Sequence, residues 1–95
     1  MTIKTGDEVE YIKTGERLNV AISEDGRIMP FGWPLELIPV SEVKLVHSCS
    51  PEREMYLLER LATNRNSAEW SNDPRHLAAR RILPIRTQAY LGEGI

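Results

Sequence analysis

The apolar pattern of this chain changes period once, at residues 48–50, and that change removes most folds open to 95 residues. Ahead of it, apolar side chains recur at every second position; beyond it they recur at every third or fourth. The first part is also crowded. Five short strand-like segments fall between Asp7 and His47, too little chain for two packed sheets. They have to share one small sheet that curls into a barrel and so hides its edges.

Within that part, Val9 and Tyr11 alternate with Glu8, Glu10 and Ile12, and Thr14-Gly15-Glu16 makes a turn. Leu18, Val20 and Ile22 then alternate with Arg17, Asn19, Ala21 and Ser23, the clearest two-residue repeat in the chain. Asp25-Gly26 follows, a strong signal for a tight hairpin. The third segment runs from Arg27 only to Pro30, because proline cannot donate to a ladder. Leu35–Ile38 and Glu42–His47 complete the set, the last alternating Val43 and Leu45 against Lys44 and Val46.

The run Leu37-Ile38-Pro39-Val40-Ser41-Glu42-Val43-Lys44-Leu45 resembles the closing segment of SH3-like barrels, where Ile-Pro introduces a 3₁₀ turn before the last strand. Gly6-Asp7-Glu8-Val9 is similar to the opening of Tudor- and KOW-type barrels. The resemblance covers residues 6–47 and implies a five-stranded SH3-like barrel; it speaks to fold and not to function. SH3 domains that bind proline-rich peptides carry an Ala-Leu-Tyr-Asp-Tyr run and paired tryptophans, which this chain lacks, and Glu42 stands where their tyrosine follows the Pro-Ser turn. A Tudor-type cage needs several converging aromatics, and the β half offers only Tyr11, Phe31 and Trp33.

From Ser50 the signals are helical. Ser50 is a good N-cap, Pro51 suits the first helical position, and Glu52 complements the helix dipole. Met55, Leu58, Leu61 and Ala62 make the apolar stripe, with Leu57 beside it, and Asn64, Asn66 and Ser67 end the helix. Asp73-Pro74 opens a second helix with Leu77, Ala78 and Ile82 on its apolar face, and Pro84 is expected to stop it. The sequence thus predicts one α+β domain over residues 1–95: a barrel at 6–47, a helical extension at 50–86, and a tail at 87–95 that Gly92 and Gly94 leave frayed.

Hydrophobic residues at 41% and charged residues at 27% are ordinary globular proportions. A net charge of −2 gives no general attraction to DNA or anionic lipid. No apolar run approaches a membrane span, and the first residues turn acidic where a signal peptide turns apolar. One cysteine makes no internal disulfide. The expectation is a soluble cytoplasmic protein.

Catalytic signals are weak. His47 and Cys49 stand two apart and share a strand face, which suits an activated thiol, but no third group orients the pair. Adding His76 gives three zinc-type ligands without any knuckle spacing, so no metal site is expected. The carboxylate pairs Asp7 with Glu8 or Glu10, Glu24 with Asp25, and Glu52 with Glu54 fall at strand starts, a hairpin tip and a helix start. Solvated or capping roles are expected there. Phosphate-loop, dinucleotide, nucleophile-elbow and zincin motifs are absent. The reading is a protein without enzymatic activity or cofactor.

Two features point to binding. Met29-Pro30-Phe31-Gly32-Trp33-Pro34-Leu35 sets two large aromatics in a proline-stiffened loop, where they either plug the barrel end or anchor a partner. Charge is the second. Residues 1–46 carry five Lys/Arg against eight acids, net −3, and residues 47–95 carry seven Arg against six acids, net +1. Arg75, Arg80, Arg81 and Arg86 follow Asp73 with no acid between them. The expected function is a protein-protein interaction module, a small regulator or inhibitor that docks through Phe31 and Trp33 with Arg80 and Arg81 as polar contacts. The alternative is nucleic-acid binding through Arg75, Arg80, Arg81 and Arg86. The helix at 50–63, with Met55, Tyr56, Leu57, Leu58 and Leu61, is a further candidate face for a homodimer.

Overall fold

Alternate burial begins before the first strand: Ile3, Thr5, Asp7 and Val9 point inward, and Lys4, Gly6 and Glu8 between them are half-exposed. This rhythm leads into an α+β structure, a five-stranded antiparallel sheet followed by two helices. The computed structural model describes residues 2–32, 35–63 and 73–93. It divides after Ser50 into two compact units, Met1–Ser50 and Pro51–Ile95.

In the sheet unit, β1 (Glu8–Tyr11), β2 (Glu16–Glu24), β3 (Arg27–Pro30), β4 (Ile38–Pro39) and β5 (Val43–His47) lie in the order β4-β3-β2-β1-β5. A 3₁₀ turn, Val40–Glu42, joins β4 to β5. These two strands are the sheet's edges, and no ladder joins them among the described residues, so the sheet is unclosed. β4 is only two residues long and ends on Pro39, which has no N–H to offer a neighbour. Of the expected segment Leu35–Ile38, only Ile38 takes part in pairing. Asp25 and Gly26 both adopt positive φ, 55° and 75°, as the tight β2–β3 hairpin requires.

Val9, Val20, Ile28, Ile38 and Val43 meet with Ile3 in the core, and Tyr11, Leu18 and Leu45 pack against it. One feature breaks the two-residue repeat: Ala21, expected to face outward, is fully buried with Val20 and Ile22. The β2–β3 register shifts between Val20 and Ile22, an irregularity that re-aims side chains locally. The Thr5 hydroxyl donates to the Ala21 carbonyl at 2.8 Å and satisfies that buried acceptor.

The helical unit contains α1 (Pro51–Thr63) and α2 (Pro74–Glu93), packed against each other. Leu58 of α1 and Ala78 and Ala79 of α2 are fully buried. Small alanines allow close helix approach. Pro84 does not stop α2, contrary to the sequence expectation; the helix continues to Glu93, so residues 87–93 are helical rather than a tail. Proline in a helix leaves the carbonyl four residues earlier without its usual donor. Here that carbonyl belongs to Arg80, and Arg80 and Pro84 are both exposed, so water can serve it. Beyond the proline, Arg86 and Thr87 tie α2 back to α1 through Glu54 and Met55.

Candidate interaction surface

The group around Asp7 shows first what the sheet unit does with its reactive side chains. Asp7, expected to be solvated or capping, is fully buried and takes backbone amides as a cap does. Its carboxylate accepts from the Lys4 amide at 3.0 Å, the Lys4 ammonium at 2.9 Å and the Cys49 amide at 2.9 Å. Lys4 Nζ also donates to Ser48 Oγ at 2.6 Å. The Cys49 thiol points at the Thr5 carbonyl, 3.1 Å away, while the exposed His47 ring faces Glu8 at 3.9 Å. His47 ends β5 and Cys49 lies outside it, so the same-face argument for a thiol–imidazole pair does not apply. The cluster latches the N-terminal segment to the exit of β5.

The exposed apolar residues of this unit fall mainly between β3 and β5. Phe31 is 41% exposed, Leu37 60% and Val40 36%, and Ile12 joins them at 58% from the β1–β2 turn. Backbone bonds fix their surroundings. Phe31 N–H donates to Asn19 at 3.0 Å, Val40 N–H to Gly26 at 2.9 Å, and Ile12 N–H to Glu42 at 3.0 Å. Phe31 is therefore an exposed aromatic, not a plug in the core. Trp33 lies outside the described residues.

Acids border this segment. Val40 bonds to the hairpin carrying Glu24 and Asp25, while Glu36 and Glu42 belong to the segment itself. No basic residue lies between Arg27 and Lys44. Lys13 reaches Glu42 at 2.6 Å, and that hydrogen bond and charge raise the lysine above its ordinary value.

In the helical unit the four candidate arginines part company. Arg75 is buried and bonds the Asp73 carboxylate through Nε and Nη2, at 3.1 and 2.8 Å. Burial alone would push the Asp73 carboxyl up; the hydrogen bonds and charge of Arg75, with His76 nearby, outweigh it and hold the group below its ordinary value. Arg86 makes a two-point contact with buried Glu54, Nε to Oε2 at 2.7 Å and Nη2 to Oε1 at 3.1 Å. Glu54, expected from its place at the helix start to be solvated or capping, is instead buried against this arginine. Arg80 is exposed, and its Nε donates to the Ala62 carbonyl at 3.0 Å. His76 Nδ1 lies 2.9 Å from the Leu61 carbonyl, so one turn of α2 caps the end of α1. Arg81 is exposed. Of the four, Arg80 and Arg81 are exposed, Arg86 is half-buried against Glu54 and Arg75 is buried.

The apolar residues of α1 turn inward, apart from Tyr56, which is exposed. Its ring sits under the guanidiniums of Arg53 and Arg60, at 5.3 and 5.6 Å from the centroid. A homodimer on this helix would meet one aromatic among charges rather than an apolar face. α2 leaves Leu77, Ile85 and Leu91 exposed.

Against protein-family models, curated proteins and solved structures the chain finds no match. Among the described residues, no three His, Cys, Asp or Glu side chains lie together as a metal site, and no helix is long and apolar enough to cross a membrane. Sequence reasoning missed Leu37 and Val40 as surface residues, whereas Ile12 lies exposed on the face that the alternation gives it with Glu8 and Glu10. The available signal was Pro39: a strand of two residues ending on proline has little room to bury its neighbours.

Proposed function

We propose that this chain is a non-enzymatic protein-interaction module, a small cytoplasmic regulator or inhibitor whose sheet unit is SH3-like and docks on a protein through Phe31, Leu37 and Val40. The observation that carries the reading is the exposure of Phe31, in a unit whose core is built from aliphatic side chains. Exposed apolar residues grouped on one stretch of surface suit a protein contact. Leu37 and Val40 widen the same surface. The SH3-like assignment is supported by the strand order and by the 3₁₀ turn that follows Ile38-Pro39 and leads into the last strand.

Nucleic-acid binding is less favoured, because Arg75 and Arg86 are engaged with carboxylates. Two remaining exposed arginines on α2 make a small phosphate footprint.

The test is capture of partners from host lysate on tagged protein after nuclease treatment, with wild type and Phe31→Ala side by side. A stoichiometric protein retained by wild type and lost in the variant is the expected result. Equal capture by both would sink the reading, and recovery of nucleic acid alone would transfer it to the arginines.

A further inference from the structure

The two edges of the sheet are unlike. β4 offers a partner strand little, since it is two residues long and one of them is proline. β5 runs five residues, Val43–His47, without a proline. Its register with β1 sets Tyr11 opposite Val43, Glu10 opposite Lys44 and Val9 opposite Leu45, and the Ile12 N–H donates to the Glu42 carbonyl at 3.0 Å. Facing residues of an antiparallel pair alternate between bonded and non-bonded. Ile12–Glu42 and Glu10–Lys44 are therefore the bonded pairs, and Val43 and Leu45 aim their backbone groups away from β1. The other side of β1 agrees: the Val20 N–H of β2 donates to the Asp7 carbonyl at 2.9 Å, so the odd-numbered residues there bond toward β2. The Val43 N–H is taken up by the Val40 carbonyl. The Val43 carbonyl and both backbone groups of Leu45 are left directed outward, and no described residue bonds them.

Side chains supply a second, independent observation. Lys44, Glu10 and Arg17 stand side by side across β5, β1 and β2 on the face away from the core, so charge alternates along the row. Glu10 pairs with Arg17 at 3.6 Å. Lys44, at the edge, is exposed and makes no ion pair among the described residues.

We infer that the outer edge of β5 is a strand-addition site for an extended acidic segment of a partner protein, bound antiparallel with an apolar residue opposite Leu45 and an acidic one opposite Lys44. The site uses none of Phe31, Leu37 and Val40, so it goes beyond the docking reading above. A residue opposite Leu45 exchanges both main-chain bonds with it, and its side chain covers the half-buried Leu45 and extends the core by one strand. Lys44 then falls at a non-hydrogen-bonded position, where facing side chains are closest. A carboxylate there continues the alternation of the row. Main-chain bonds give the site its adhesion, and Lys44 gives it a preference among segments.

The experiment follows backbone amide signals of the full chain by nuclear magnetic resonance. The probes are an end-blocked Thr-Val-Glu-Val-Thr peptide, added to millimolar concentration, and the same peptide with lysine in place of glutamate. The proteins are wild type, Lys44→Glu and Leu45→Pro. The acidic peptide is expected to move the Leu45 amide signal and slow its hydrogen exchange. The lysine peptide should bind wild type roughly two- to tenfold more weakly, and Lys44→Glu should reverse that preference. Leu45→Pro removes the outward N–H while leaving β1 its donors, so binding should be lost with the spectrum still that of a folded chain. Lys44 is exposed, so Lys44→Glu tests the site whether or not the proline variant folds. A Leu45 amide unmoved by millimolar acidic peptide overturns the inference, as does equal binding of both peptides or a preference that Lys44→Glu leaves unchanged. Movement confined to Phe31, Leu37 and Val40 overturns it in favour of the docking surface. Each of these results leaves Phe31-dependent capture of another protein standing.

Discussion

The contact that decides how α2 survives its own proline is the pair between Arg86 and Glu54, and Arg86→Ala isolates it. Glu54 has a buried side chain and receives both hydrogen bonds from one guanidinium. Removing one partner of a fully buried pair costs about 3–5 kcal/mol, chiefly because the other charge is left buried and unmatched. Arg86 is 37% exposed, so water can reach part of the vacated site, and we expect about 2–3 kcal/mol. For a chain of this size that lowers Tm by roughly 8–20 °C. The assay is far-ultraviolet circular dichroism during urea and thermal unfolding, which follows the helices directly. Arg86→Ala should also lose helical signal before the main transition, because the turns beyond Pro84 lose an anchor on α1. The double variant Glu54→Leu with Arg86→Met removes both charges and should be more stable than Arg86→Ala alone, since a well-packed apolar pair is often neutral relative to a buried ion pair. If Arg86→Ala changes stability by less than about 0.5 kcal/mol, or the double variant is merely the sum of the single ones, the pair does not hold α2 in place.

Three further outcomes follow from the same packing. Asp73 has its carboxyl held below the ordinary value, so its contribution is fully present above the unfolded value and is lost as pH falls through the lower folded one. Thermal melts from neutral pH down through the carboxylate range should show this loss, and Asp73→Asn should flatten it; an unchanged acid limb in the variant refutes the assignment. Asp7→Ala leaves the Lys4 ammonium and the Cys49 amide without their shared acceptor and should cost roughly 2–4 kcal/mol in urea unfolding, with a change under about 0.5 kcal/mol counting against the latch. Pro84→Ala restores a donor for the Arg80 carbonyl and should raise stability by up to about 3 kcal/mol, read as a higher Tm with more helical signal; a lower Tm would count against the missing donor as the main effect of this proline.

Much of the fold was legible because it depends on local rules. The hairpin at Asp25-Gly26, the proline ends of β3 and β4 and the cap at Asp73 each follow from what one or two residues can do with their own backbone. The two-residue repeat also placed Val9, Val20 and Val43 correctly in the core. Ala21 departs from the repeat because a register shift is a property of two paired strands, which the pattern along one strand does not contain.

The side-chain chemistry was far less legible. Asp7, Glu54, Arg75 and Arg86 all read as surface charges, and Asp7, Glu54 and Arg75 are buried, with Arg86 half-buried against its partner. Their partners lie either close in sequence, as with Lys4 and Arg75, or far away, as with Cys49 and the Glu54–Arg86 pair. Burial of a charge depends on whether an opposite one is brought within hydrogen-bond distance, and a linear pattern does not contain that distance. The sequence by itself determined where strand gives way to helix, which turns close the hairpins and where the two kinds of charge lie along the chain. Tertiary structure alone decided that α2 runs through Pro84, that Arg75 and Arg86 are committed to carboxylates, and that Phe31 stays in water. The physical reason for the first two is shared: local preferences cost about 1 kcal/mol or less at ordinary residues and about 3 kcal/mol at a helix proline, and contacts between groups distant in sequence offset them.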